Sequence, residues 1–357
     1  MADGTTETMF DLVRTLTELP GPTGHEDAVQ DWLRERWAGD GAEVRRTRVG
    51  NMLAKVGGSG PRLLLLGHAD ELCLLVKSIS DDGFLHVAPY YADTLGHPSR
   101  AYLPLSQPAL VLTGDGTIPG YFAAASGHVL GRNNPDKRFE WNDLFLEIAA
   151  GSRQEAEDRG IHPGCRAIWN PPTRRLGQHL FVGKAMDDRA ALALMTLAAA
   201  RLAGRDDLAY ELWLASTVQE ENGLIGASSL ADELDFDLCL TIDVGLTGDI
   251  PGPDKRDFPA KLGGGPTIVY KDNACHYSRR LSDRLVARAR RNGIPVQQAV
   301  FQNYASDGGQ LLRRGVETAL VTYPTRYTHT PIETVDERDL RATLDLLVAF
   351  ATTPAQA

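Results

Sequence analysis

Four apolar runs of strand length constrain this chain most, because each ends in, or leads by a short loop to, a side chain that can hold a cation. Arg62–Leu66 (RLLLL) runs into His68, Tyr210–Thr217 (YELWLAST) into Glu220 and Glu221, Leu238–Ile242 (LCLTI) into Asp243, and Thr318–Thr322, which opens TALVTYPTRYT, leads on by a short loop to His329. Such runs read as buried strands, and helical patterns alternate with them over the second half of the chain, which predicts an α/β sheet sandwiched between helices. In open α/β sheets the functional crevice lies outside the carboxyl ends of the strands, so side chains far apart in sequence are expected to converge there. Asp187 can join them from the start of Ala185–Gly204 (AMDDRAALALMTLAAARLAG), the strongest helical pattern in the chain.

Each of these residues also has an ordinary explanation. An acidic pair at a strand end can be a solvated loop, and acids in a first helical turn suit the helix dipole, which covers Asp187 and Asp188. His68 can be a buried histidine bonded to a carbonyl, Asp243 can cap a turn, and His329 can sit on a surface loop. The joint pattern is harder to dismiss. Histidines, aspartates and glutamates together form an oxygen-rich ligand set, suited to a pair of divalent ions with open positions rather than to a structural zinc site. Asp70, two residues beyond His68 on an extended chain, is placed to accept the other imidazole N–H.

The flanking segments read as follows. Asp11–Thr17 and His25–Trp37 are expected helices, and Ala42–Val56 an expected hairpin. From Glu71 to about Arg175 short strand-like runs alternate with Gly, Pro and Asn turns, which predicts a small β-rich module inserted at 71–175 into a main domain of 1–70 and 176–357. Ser152 and Glu155 mark a short helix inside it. Later elements are expected as helix Leu224–Leu234, strand Thr267–Tyr270, helix Ser278–Asn292, strand Val296–Phe301, a short helix near Gly309–Arg314 and a final helix Glu337–Thr352.

A chain of 357 residues exceeds what one core usually holds, in keeping with two domains. Its net charge of −10 argues against nucleic acid or an anionic membrane as a partner. Cys73, Cys165, Cys239 and Cys275 are scattered without a CxxC pair, so buried thiols are expected rather than a disulfide framework or a thiolate zinc site. The absence of a signal-like start and of a long uncharged apolar run predicts a cytoplasmic protein.

The motifs His68-Ala69-Asp70-Glu71, Lys184–Arg189 (KAMDDR), Val218–Gly223 (VQEENG), Ile242-Asp243-Val244 and Arg326–Pro331 (RYTHTP), with weaker echoes such as LPGPTGHED and SDGG, resemble those of the glutamyl aminopeptidase and tetrahedral (TET) aminopeptidase family of dinuclear metallo-aminopeptidases. They occur in that family's order from about residue 10 to 350. The resemblance implies that His68 and Asp243 belong to opposite metal ions, that Asp187 bridges them, and that Glu221 and His329 complete the set. It implies Glu220 as general base, Asp70 as the residue that orients His68, and Asp307 as an acid on the substrate side. The implied cofactor is two divalent ions per chain, zinc foremost, with cobalt and manganese also suited. The inserted module is implied to serve dimerisation, in a homo-oligomer anywhere from a dimer to a dodecamer.

The expected function is hydrolysis of the N-terminal residue from a peptide, with a metal-activated hydroxide and Glu220 exchanging its proton. Departures from relatives at Leu72-Cys73, Gly245-Leu246 and Gln302–Asp307 lie where a substrate side chain could sit, which motivates an alternative, an amidase or deacylase acting on a non-peptide amide. A glycosidase would use Glu220 and a second acid but leaves His68, Asp243 and His329 without a role. A silent scaffolding subunit is the non-enzyme alternative, and the intact ligand set argues against it.

Overall fold

The computed structural model describes residues 7–89, 104–130, 139, 141–230, 232–233 and 235–354. Two units emerge, one comprising Met1–Glu71, Thr173–Thr328 and Glu333–Ala357, the other Leu72–Pro172 with His329–Ile332. The first unit opens with helices α1 (Met9–Glu18) and α2 (Asp27–Gly39) and strands β1 (Glu43–Arg46), β2 (Met52–Gly57) and β3 (Arg62–His68). The second carries β4 (Leu74–Ile79), β5 (Leu85–Pro89), β6 (Pro108–Thr113), β7 (Gly116–Ala123), α3 (Gly127–Leu130), β8 (Phe145–Glu147), α4 (Arg153–Asp158) and β9 (Arg166–Trp169). The first then resumes with β10 (Arg174–Leu176), β11 (Leu180–Gly183), α5 (Met186–Leu202), β12 (Glu211–Thr217), α6 (Ile225–Leu230), β13 (Leu238–Leu246) and β14 (Thr267–Val269). It ends with α7 (Arg279–Arg291), β15 (Gln297–Ala299), α8 (Gly308–Arg313), β16 (Glu317–Arg326), β17 (Glu333–Asp336) and α9 (Glu337–Ala351).

The first unit is built on an 11-stranded mixed sheet in the order β1-β2-β12-β3-β13-β16-β17-β11-β10, with β14 joined to β16 and β15 to β14. Its centre, β12-β3-β13-β16, is parallel, and the strands on either side are antiparallel. The RLLLL run shows why the centre needs helices on both faces. Leu63 and Leu65 join one core cluster with α1, α2, α5, α7 and α9, whereas Leu64 and Leu66 join another with residues of α6 and α8. All four leucines are fully buried, as the two-residue period of a strand requires when both faces are covered.

In the second unit β4-β5-β8-β7-β6-β9 close into a barrel around Leu74, Val76, Val111, Phe122 and Leu146. Among the described residues closure pairs every strand of this unit on both sides. The Ser152 hydroxyl accepts the Glu155 N–H at the start of α4, the cap expected from the sequence. Of the insert expected at 71–175, residues 90–103, 131–138 and 140 lie outside the described residues. Arg174 and Arg175, the last two residues of that expected insert, lie with Leu176 in the edge strand β10 of the large sheet.

Other element ends differ from expectation. Helix α6 stops at Leu230 rather than reaching residue 234, and positions 231 and 234 of that expected helix lie outside the described residues. Strand β16 runs through Pro324 to Arg326. Its pairing with β14 ends at Thr322 and that with β17 begins at Thr325, so no ladder bond to these neighbours is asked of the missing proline N–H. Cys73, Cys165 and Cys239 are buried, Cys275 is half-buried, and none of the four forms a disulfide. Among the described residues no helix is long and apolar enough to cross a membrane.

Candidate active site

Parallel pairing puts the chemistry at one end of the sheet. His68 closes β3 and lies opposite Thr217, the last residue of β12, so the chain leaving β12 carries Glu220 and Glu221 past the same end. On the other flank of β3, β13 brings Asp243 opposite Thr322 of β16. The residues beyond β12 are held by their backbone. The amides of Val218 and Gln219 donate to Asn51 Oδ1 and Glu26 Oε1, each at 3.1 Å. The amides of Glu220 and Glu221 donate to the two oxygens of Asp70 at 2.9 and 3.2 Å. With four successive N–H groups satisfied by side chains, the loop holds one course although Gln219 adopts a left-handed φ of 53°.

The start of α5 is not the regular first turn that the sequence suggested. Asp187 and Asp188 have non-helical backbone angles, and the peptide between them is cis. The Asp187 N–H donates to Glu333 Oε2 at 2.9 Å, and Asp187 Oδ1 lies 3.0 Å from His68 Nε2. Asp188 accepts the His68 backbone N–H at 3.1 Å on one oxygen and the Tyr323 hydroxyl at 2.6 Å on the other. Gly67 permits this approach, because a Cβ there would sit 2.9 Å from Asp188 Oδ2. Asp188 therefore anchors the backbone of His68, a role that the helix-dipole explanation did not foresee.

Asp70 Oδ1 stands 3.4 Å from His68 Nδ1, longer than an ordinary N–H···O bond, while Asp70 Oδ2 also accepts the Thr23 hydroxyl at 2.9 Å. Asp307, at the start of α8, is fully buried and accepts the Thr217 hydroxyl. His329 follows β16 in the segment His329–Ile332, half-buried with a left-handed φ of 63°.

Among the described residues two groups of side chains could hold a metal ion, their donor atoms lying within 4.8 Å of one another: His68, Asp187 and Glu221 in one, and Asp187, Asp188 and Asp243 in the other. Asp187 is common to both. His329 is in neither. Both oxygens of Asp188 accept hydrogen bonds that hold the framework of the site.

The electrostatics show what such a set lacks. Burial lifts the Glu220 carboxyl well above the usual carboxylate range, and Asp307, Glu221 and Asp243 add to the rise while His68 opposes it. Burial and Asp187 push Asp243 up to about 7, and burial pushes Asp307 up to about 7. Burial raises Asp188 well above its ordinary value, helped by Asp243 and Asp187. For His68 burial disfavours the proton, yet its contacts to Asp187 and Asp70 outweigh it and the imidazole pKa rises. Glu26 is pushed up to about 7 by burial and then by Asp70. Buried carboxylates that repel one another around a single imidazole call for positive charge, and an oxygen-rich set with one nitrogen suits divalent ions.

An open cleft of about 460 Å³ adjoins the two glutamates, lined by Glu220, Glu221, Asn273, Ala274, Gln310 and Arg313 among others. The sequence assigned no role to Glu333, Tyr323, Asn51 or Glu26, which reach the site from β17, β16, the residue before β2 and the start of α2. Asp188 was visible only as the neighbour of Asp187.

The M42 glutamyl aminopeptidase family model matches residues 50–346. A lysyl aminopeptidase of Pyrococcus furiosus is 30% identical over 351 residues, covering 96% of this chain and 96% of the relative. Among solved structures, an aminopeptidase from the archaeon Desulfurococcus kamchatkensis superposes with a TM-score of 0.88 at 30% identity, over 98% of this chain and 96% of its own. The TET1 peptidase of Pyrococcus horikoshii, which can assemble into a tetrahedron or a large octahedral shell, gives 0.84 at 27% identity over 96% and 99%. With the match spanning most of the chain, the chain belongs to the M42 glutamyl aminopeptidase family and is a metal-dependent aminopeptidase.

Proposed function

We propose that His68, Asp187, Glu221, Asp243 and His329 hold two divalent ions, zinc foremost with cobalt and manganese as alternatives, and that Glu220 is the general base in removal of the N-terminal residue of a peptide. The observation that carries this reading is the sharing of Asp187 between the two groups of ligand atoms. When bound, divalent ions supply Lewis acidity at a carbonyl oxygen and lower the pKa of water toward neutrality. Glu220 takes the proton of the attacking water and returns it to the amine nitrogen as the C–N bond breaks. Its burial among acids raises its proton affinity, which suits a group that must both accept and release a proton. Asp70 fixes the Glu220 and Glu221 backbone and faces His68, Asp188 and Glu333 hold the segment that carries Asp187, and Asp307 lies on the substrate side. The acid-rich cleft favours the cationic amine of a peptide terminus.

The barrel unit is proposed as a dimerisation module within a homo-oligomer. Support comes from the shells formed by the TET1 peptidase, and light scattering of the purified protein should report a dimer or larger; a monomer at micromolar concentration contradicts it. The cytoplasm is the proposed compartment, on thiols that form no disulfide; recovery from an extracytoplasmic fraction contradicts it.

The mechanism is tested by Glu220→Gln. Turnover of aminoacyl p-nitroanilides should fall by about 10²–10⁴ with metal content at the wild-type level. Wild-type turnover in that variant removes Glu220 from its role.

A further inference from the structure

The three stretches where the sequence departs from its relatives, Leu72-Cys73, Gly245-Leu246 and Gln302–Asp307, have different places in the fold. Leu72 and Cys73 are buried, Leu72 within the core of the barrel. Gly245 answers to packing, because a Cβ there would sit 2.6 Å from Thr322 Oγ1. Leu246 and Tyr304, far apart in sequence and both half-buried, pack against the same apolar cluster, which includes Tyr277 and Phe301. Tyr304 is fixed at three points. Its hydroxyl donates at 3.0 Å to the carbonyl of Val244, the residue after Asp243; its ring meets Phe301 edge-on at 5.2 Å; and its own carbonyl accepts the Asn273 N–H at 2.9 Å. Asn273 and Ala305, its partner and its neighbour in the chain, line the cleft that Glu220 and Glu221 border. Burial lifts the phenol above its ordinary range, with Asp243, Asp187, Tyr277 and Glu220 adding to the rise, so the ring stays neutral. A neutral, anchored ring thus reaches from the wall of the cleft to the Asp243 strand end, in a site otherwise made of acids.

We propose that Tyr304 and Leu246 form an apolar wall that meets the side chain of the substrate's first residue and limits its size, selecting small or aliphatic residues over bulky aromatic ones. This rests on the aminopeptidase reading of the same site. The carbon that bears a peptide's first side chain lies between its amine and its scissile carbonyl. That side chain therefore emerges between the groups that hold the amine and those that attack the carbonyl, and Tyr304 adjoins both. A ring tied at its hydroxyl and along its edge does not swing aside like a free rotamer, and forcing extra atoms against fixed packing is unfavourable.

The experiment assays the full chain, loaded with its metal, on the p-nitroanilides of Ala, Leu and Trp and compares the Trp-to-Ala ratio of kcat/KM across variants. Wild type should cleave Ala and Leu faster than Trp. Tyr304→Ala should raise the ratio by roughly tenfold or more, the scale on which an apolar pocket discriminates by size, and Leu246→Ala should move it the same way. Tyr304→Phe keeps the ring and its contact with Phe301, so its ratio should stay near that of wild type. A merely structural role would lower all three substrates alike and leave the ratio unchanged. A rise short of about tenfold in Tyr304→Ala, or no rise in Leu246→Ala should the first variant not fold, overturns the proposal, as does a wild type that prefers Trp. Failure of the wild type to cleave any of the three would instead strike the aminopeptidase reading, and the proposal with it.

Discussion

Asp70 sets more of the site's geometry than its neighbours in sequence reveal. Its spacing from His68 pointed to a carboxylate facing the imidazole, and at 3.4 Å it does face Nδ1. What spacing could not show is that the same carboxylate accepts the amides of Glu220 and Glu221, 150 and 151 residues away. Replacing Asp70 by Asn puts an N–H₂ group against at least one of these donors. Leaving a buried polar group unsatisfied costs about 1–3 kcal/mol. Denaturant melts of Asp70→Asn should show a loss of that size together with lower kcat; unchanged stability and turnover would remove Asp70 from the framework. Asp188 teaches the converse. Beside Asp187 at a helix start it had a sufficient dipole explanation, and only the folded chain shows its oxygens taken by the His68 amide and the Tyr323 hydroxyl.

At the scale of elements, the strands of the parallel centre were legible because burial on both faces forces unbroken apolar runs such as RLLLL and LCLTI. Their ends were less so. Pro324 reads as a strand breaker, but β16 passes through it between the pairings of β14 and β17. The segment from Gly263 to Gly265 lies outside the strands and helices and is tied to α9 by Asp339, whose carboxylate accepts the amides of both glycines at 2.7 Å. Burial outweighs these two bonds and pushes Asp339 up from 3.8 to about 6. A pKa raised by folding means that the native state holds the proton more tightly. The stabilisation is therefore full below the unfolded value and is lost as pH rises through about 6. Asp339→Asn keeps an acceptor oxygen but cannot titrate. The stability of wild type relative to this variant should rise as pH falls from about 7 to about 5, and thermal melts of both proteins at the two pH values check it; a drift the other way contradicts the account.

For the whole molecule, the α/β class and a β-rich change of character after Glu71 could be read from residue patterns alone. The closed barrel could not, because closure depends on the pairing of β4 with β9, whose paired residues lie about 90 positions apart. Nor did the sequence show that His329–Ile332 groups with the barrel unit. The strand-end residues were legible because an open α/β sheet gathers its functional side chains where apolar runs stop, and the residues that hold those side chains were hidden because they follow no such period. On the proposed reading Asp187 would serve both divalent ions. Inductively coupled plasma mass spectrometry of the purified chain and of Asp187→Asn tests it most directly. Two divalent ions per wild-type chain and loss of both in the variant are predicted from the two groups that Asp187 joins. A single ion per wild-type chain, or a variant that keeps both, would contradict it.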